Sequence, residues 1–211
     1  PNPFISKDIS MCIVDNLKQN IRKQLSVIQT YPENIPKLKN DKPKFLNLFA
    51  YTGGASLVCR QMGADVTHVD SVKPVLSWAR ENMEMSNLDS IRWMAEDALK
   101  FVKREARRGN FYQGILLDPP AYGRGPEGEK WVLEEQIDDM LKSVKEILDP
   151  KEHILLTNVY SLGFSTLVVE NLMNGLFDVP QNAEFGEIYL NDTFNKKLPL
   201  GVFHRYLYQE N

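Results

Sequence analysis

From Phe45 onward, short apolar runs alternate with stretches of helical period, and this alternation limits the chain to few folds. The runs predict strands near 45–49, 65–70, 90–95, 113–118 and 152–158. Helices near 54–62, 73–86, 97–108, 131–148 and 163–174 fill the gaps. Strands separated by helices pair in parallel, and right-handed crossovers place helices on both faces of the sheet. The α/β class, doubly wound, follows. The tail differs. Segments 184–191 and 202–208 predict two strands joined by a loop containing Pro199 and Gly201, with no helix between, which reads as a terminal antiparallel hairpin.

Ahead of this region, Val14, Leu17, Ile21, Leu25 and Ile28 recur at three- and four-residue steps and predict an amphipathic helix over 8–29. A Pro-, Asn- and Lys-containing linker over 31–44 follows it. The expected organisation is an N-terminal helical extension and linker over 1–44 and one α/β domain over 45–211. The chain opens on Pro1-Asn2-Pro3, without an initiator Met or a signal-peptide core, so a preceding N-terminal module is expected. Two cysteines, Cys12 and Cys59, cannot build a disulfide framework. His68, His153 and His204 have no metal-ligand spacing, so no metal is expected. No run approaches the roughly 20 apolar residues that span a bilayer. A reducing, cytoplasmic setting without membrane attachment fits. The net charge of -3 names no partner and leaves the oligomeric state open.

Phe49-Ala50-Tyr51-Thr52-Gly53-Gly54 lies where the first strand turns into a helix. In doubly wound sheets ligands bind beyond the carboxyl ends of strands, and glycines there admit a ligand to the backbone amides. Asp70 ends the second strand, where a carboxylate accepts the hydroxyls of an adenosine ribose. Ser71 adjoins it. Asp97, with Ala98 beside it, follows the third strand. It suits either an adenine amino group or the N-cap of the next helix. These features describe an adenosine cofactor, and the missing third glycine of G-x-G-x-x-G argues against a nicotinamide dinucleotide.

Leu117-Asp118-Pro119-Pro120-Ala121-Tyr122 carries the chemistry. The prolines fix φ and donate no hydrogen bond, so the loop is stiff and its carbonyls stay available. Asp118 with the Pro119 and Pro120 carbonyls is suited to orient a nucleophilic nitrogen towards an electrophilic methyl, a reaction that depends mainly on in-line placement. Tyr122 is placed to stack on a base. The same loop would also suit an amide nitrogen.

Leu46–Gly54, His68-Val69-Asp70-Ser71, Trp78-Ala79-Arg80-Glu81-Asn82 and Leu117-Asp118-Pro119-Pro120 resemble the large-subunit (23S) ribosomal RNA cytosine/guanine methyltransferase family, over about 45–160. The resemblance implies a Rossmann-like class I methyltransferase sandwich with a mostly parallel seven-stranded sheet and a C-terminal antiparallel hairpin. It implies S-adenosylmethionine as cofactor and ribosomal RNA as partner, with Gly53, Asp70, Asp97 and Asp118 at the cofactor or methyl acceptor. Carbon-5 methylation of cytosine needs an attacking cysteine. The loop after the fourth strand and Leu155–Ser161 contain none, so a nitrogen acceptor is favoured. Cys59 and Cys12 are expected to be buried apolar residues. A protein or small-molecule methyltransferase and a non-catalytic cofactor-binding module remain open.

Lys100, Lys103, Arg104, Arg107 and Arg108 share a helix face, either a phosphate grip or an ordinary solvated surface. Gly123, Gly125 and Gly128 around Arg124 and Lys130 suggest a mobile lid. His68 is expected to be structural. Core packing is expected for most of Trp78, Met83 and Met85.

Overall fold

The computed structural model describes residues 38–39, 42–161, 163–194 and 196–210; the helix expected over 8–29, and Cys12 with it, lies outside the described residues. The described strands are β1 (Lys44–Leu48), β2 (Asp65–Asp70), β3 (Ile91–Ala95), β4 (Gly114–Leu117), β5 (Tyr122–Arg124), β6 (Lys130–Val132), β7 (Glu152–Val159), β8 (Glu184–Asn191) and β9 (Lys197–Gln209). The helices are α1 (Gly54–Gln61), α2 (Lys73–Met85), α3 (Ala98–Arg107), α4 (Leu133–Lys145) and α5 (Thr166–Leu176).

Seven strands form one sheet in the order β3-β2-β1-β4-β7-β9-β8. The first five run parallel, and β9 and β8 close the sheet as an antiparallel pair. Strand order reverses between β1 and β4, the position where such sheets open a binding crevice.

The central strands β1, β4 and β7 are buried on both sides, which explains why they read as largely apolar runs. Leu46, Leu48, Ile115, Leu117 and Leu155 face one cluster with Phe101 of α3, Leu141 of α4 and Met173 of α5. Phe45, Leu116, Ile154 and Leu156 alternate onto the other cluster, with Leu38 and Cys59. Buried Glu105 of α3 accepts from Asn110 at 2.8 Å, Tyr112 at 2.9 Å and Arg108 at 3.2 Å. Burial pulls its carboxyl upward, yet these donors together outweigh burial and hold it below its usual range.

Four features differ from the sequence reading. Pro199 and Gly201 lie inside β9, and the connection between Asn191 and Lys197 is shorter, with Asp192 accepting from the Phe194 and Lys196 amides at 2.8 Å each. Pro199 is tolerated because β7 pairs with β9 only from Val202 onward, so no ladder on that side needs its missing N–H. Helix α5 begins at Thr166, after Ser165, whose hydroxyl caps the Val168 amide. Trp78 and Met85 are 55% and 83% exposed, because α2 turns Leu76 and Ala79 inward and leaves these two off that face. Met83 does pack against the core. Finally, 122–132 forms a two-stranded hairpin, β5–β6, where glycine content alone suggested a loose loop.

Candidate functional site

The turn after β1 is held in a demanding conformation. Phe49 and Tyr51 adopt positive φ (55° and 46°), a region costly for residues with side chains, and Gly53 follows at 91°. Gly53 is required twice over, because a Cβ there would lie 3.2 Å from the Ala79 Cβ. Three neighbours fix the turn. The Ala50 amide donates to the Val69 carbonyl at 3.1 Å, and the Tyr51 amide donates to Asp70 Oδ2 at 2.9 Å. Asn82 Nδ2 reaches from α2 to the Thr52 carbonyl at 3.0 Å. Beneath it, Asn47 donates to the Ser56 hydroxyl, which pairs with His68 Nδ1, each at 2.9 Å. His68 is fully buried against Trp93, and burial lowers its pKa to about 4 against a smaller opposing pull from the Tyr51 backbone. It is a neutral structural residue.

Asp70 also accepts from the Val72 amide through Oδ1 at 2.9 Å. Each carboxylate oxygen therefore spends one acceptor site on the backbone and keeps another. Asp97 caps α3, its Oδ1 accepting from the Lys100 amide at 2.9 Å. Its Oδ2 has no partner among the described residues. Between them opens a cleft, continuous with solvent, lined by Phe49, Val69, Asp70, Ser71, Glu96, Asp97, Ala98, Pro120, Gly123, Arg124, Gly125 and Trp131. Phe49, Asp70, Ser71, Asp97 and Ala98 of the expected cofactor set line it. Ala50, Tyr51, Thr52, Gly53 and Gly54 form the adjoining turn and do not.

Beyond the cleft, β4 runs into Asp118. Pairing of Leu117 with Thr157 places Asp118 beside Asn158 on β7, and Asn158 Nδ2 donates to Asp118 Oδ1 at 2.9 Å. Burial raises the Asp118 pKa from 3.8 to about 6, against the lowering effect of that amide. Asn158 Oδ1 is buried without a hydrogen-bond partner. Tyr160, two residues on, has its hydroxyl pushed up to about 12, first by burial and then by the charge of Asp118. Asn158 has no motif to identify it; its position follows from the register of β4 against β7.

The Pro120 carbonyl accepts the Trp131 indole N–H at 2.7 Å, so one of its two lone pairs is already used. Trp131 is buried and packs on Phe49 with ring centroids 4.9 Å apart. The β5–β6 hairpin is thus anchored to both the Asp118–Pro120 loop and the turn after β1. Its tip is tied to α3, since Lys100 Nζ bonds Glu127 at 2.8 Å and also Glu129. Tyr122 stays 54% exposed.

The α3 cations are largely paired: Lys103 with Asp139, Arg104 with Glu96 and Glu105, and Arg108 with Glu105. This favours the solvated face over a phosphate grip. Cys59 is buried, and burial pushes its thiol up to about 12, which leaves no thiolate for nucleophilic work. Among the described residues, no group of three or more His, Cys, Asp or Glu side chains is arranged to hold a metal, and no helix is long and apolar enough to cross a membrane.

The chain matches no protein-family model. A ribosomal RNA large subunit methyltransferase K/L from Pseudoalteromonas translucida is 36% identical over 126 residues, covering 57% of this chain and 17% of that protein. Its namesake from Shewanella frigidimarina is 31% identical over 129 residues, covering 58% and 18%. The chain thus spans less than a fifth of these relatives. Among solved structures, a SAM-dependent methyltransferase from Agrobacterium tumefaciens has a TM-score of 0.77 and 35% identity over 87% of this chain and 61% of that one. A second methyltransferase-type structure, complexed with SAH, has a TM-score of 0.66 at 19% identity, over 83% of this chain and 48% of that one, and speaks to the fold alone. The chain carries the class I S-adenosylmethionine-dependent methyltransferase fold and resembles the large-subunit (23S) ribosomal RNA methyltransferase family.

Proposed function

We propose that residues 45–211 are a catalytic domain that transfers a methyl group from S-adenosylmethionine to a nitrogen of a base in ribosomal RNA, with 1–44 as an extension. Cytoplasmic residence belongs to the same reading. The observation that carries it is the partly buried Asp118–Asn158 pair, set beside a cleft flanked by Asp70 and Asp97.

The residues of the cleft fit the cofactor. Asp70 keeps two acceptor positions for the ribose hydroxyls, and Asp97 Oδ2 remains for the adenine amino group. The strained Phe49–Gly54 turn adjoins them as a backbone cradle for the methionine portion. Ser71 and Ala98 complete the wall. When bound, S-adenosylmethionine supplies an electrophilic methyl on a sulfonium. Asp118 orients the acceptor N–H by accepting from it, and as carboxylate takes up the proton that the nitrogen loses. Asn158 Nδ2 fixes the Asp118 carboxylate, and the Pro119 and Pro120 carbonyls limit how the base can enter. Tyr122 packs against the base, while Trp131 and Phe49 exclude water from one side of the cleft.

A nitrogen acceptor is favoured over carbon 5. The loops after β4 and β7 contain no cysteine, and Cys59 is inert. Calorimetric titration with S-adenosylmethionine, with NAD as control, tests the cofactor assignment. The reading expects saturable binding of the sulfonium alone, weakened more than tenfold by Asp70→Ala. Preference for NAD would reject it. Labelled methyl transfer to ribosomal RNA but not to a protein extract tests the acceptor, and the reverse preference would select the protein substrate instead.

A further inference from the structure

Prolines fix φ but leave ψ free, so the direction of a proline carbonyl, and the path of the chain after it, must be set by another group. In the Asp118–Pro120 loop that group is Trp131. Its indole N–H donates to the Pro120 carbonyl at 2.7 Å, and one residue on, the Leu133 amide donates to the Ala121 carbonyl at 3.0 Å. Two successive peptide groups of the loop are thereby held from β6 and the start of α4. The same indole packs on Phe49, with ring centroids 4.9 Å apart and planes at 51°. Phe49 stands at φ 55°, a backbone state that persists only where its surroundings enforce it. Trp131 is 2% exposed, and it lines the cleft together with Phe49 and Pro120. The hairpin that carries it is held from a third side, where Lys100 of α3 bonds Glu127 and Glu129 at the tip. Packing alone would need only an apolar side chain of this size. The N–H aimed at Pro120 is an additional feature.

We propose that Trp131 is a positioning residue for methyl transfer: its N–H sets the Pro120 carbonyl, and with it the ψ angle that aims the Asp118–Pro120 loop, while its ring registers that loop against Phe49 on the donor side. The inference rests on the methyltransferase reading for which side holds the donor and which the acceptor. Transfer from a sulfonium to a nitrogen depends on in-line placement, and a displacement of about 1 Å can cost about 10²-fold in rate. One rigid side chain that touches both sides fixes their separation directly. The two halves of the side chain then have separable effects. The N–H acts on the loop, so its loss slows transfer and leaves the cofactor bound as before. The ring is also a wall of the cleft, so its loss slows transfer and loosens the cofactor together.

The test compares two forms of the full chain with the parent. One carries benzothienylalanine in place of Trp131, which keeps the bicyclic ring and replaces the N–H with sulfur; the other is Trp131→Ala. Calorimetry reads the binding of S-adenosylmethionine, and a single-turnover assay at saturating cofactor reads methyl transfer to ribosomal RNA lacking its modification. The sulfur analogue should bind the cofactor like the parent and transfer the methyl group about 10- to 100-fold more slowly. Trp131→Ala should be at least as slow and should also lose about 3- to 10-fold in cofactor affinity, the worth of an aromatic pair. The analogue matches the parent in shape, so it decides the matter even if the alanine variant fails to fold. An analogue that transfers at the parent rate would overturn the proposal, whether or not its affinity fell, because Trp131 would then only wall the cleft. A folded Trp131→Ala variant that binds the cofactor like the parent would overturn the role given to the ring. A parent chain that binds no S-adenosylmethionine, or transfers no methyl group, would reject the methyltransferase reading and the proposal with it.

Discussion

Asp118→Asn should inactivate the protein and stabilise it at the same time, in a pH-dependent way. Burial raises the carboxyl from 3.8 to about 6, so the folded state holds its proton more tightly than the unfolded chain. Below about pH 4 the group is neutral in both states and costs nothing. Between about pH 4 and 6 the unfolded chain ionises first, and folding stability falls. Above about pH 6 the whole cost of the partly buried charge is present. At about 1.4 kcal/mol per tenfold change in affinity, the rise corresponds to about 3 kcal/mol. Asparagine is neutral throughout and still accepts from Asn158 Nδ2. For a chain of this length about 1 kcal/mol moves the melting temperature by about 2–4 °C. The variant should therefore melt roughly 6–12 °C above the parent near pH 8 and level with it near pH 4. Methyl transfer should drop by about 10²- to 10⁴-fold, the usual loss of a proton-accepting group. Scanning calorimetry across that pH range, with a single-turnover methyl-transfer assay, measures both. Equal melting temperatures near pH 8, or an offset independent of pH, would refute the claim that Asp118 is a destabilised carboxylate.

Other expectations follow from the same geometry. Asn158→Leu removes the donor that lowers the Asp118 pKa, so the acid limb of the pH–rate profile should move above about 6; an unmoved limb would mean that Asn158 does not tune Asp118. Gly53→Ala places a side chain at positive φ and 3.2 Å from Ala79, and should cost about 1–3 kcal/mol in urea unfolding as well as weaken the cofactor; unchanged unfolding would deny the strain. Glu105→Gln should destabilise the fold by about 1–3 kcal/mol at neutral pH, because one donor from Asn110, Tyr112 or Arg108 loses its acceptor. That penalty should shrink as pH falls through the depressed Glu105 pKa, where the parent loses the same interaction. A penalty constant with pH would contradict the assignment.

The parallel core of the sheet was legible because its central strands are buried on both faces. Runs such as Gly114–Leu117 have no polar alternation to confuse, and the helix after β3 starts on a clear cap, Asp97. The turn after β1 was legible for a related reason: the topology brings it and Asp70 together at the carboxyl edge of the sheet. The β5–β6 hairpin was not. Its glycines suggest mobility, whereas Trp131 packing on Phe49 and bonding to Pro120 gives it order, and both contacts depend on tertiary placement. Asn158 was invisible for the same reason, since only the pairing of β4 with β7 brings it to Asp118. Trp78 and Met85 were misjudged because helical period marks an apolar residue without saying which side of α2 the sheet covers.

The central claim concerns a nitrogen acceptor beside Asp118, and nucleoside mass spectrometry tests it most directly. Ribosomal RNA lacking its own modification would be incubated with the protein and S-adenosylmethionine, digested, and the new methylated nucleoside identified. A methyl group on a base nitrogen, absent when Asp118→Asn replaces the parent, is the predicted result. A methyl on carbon 5 of cytosine, or on ribose, would contradict the account.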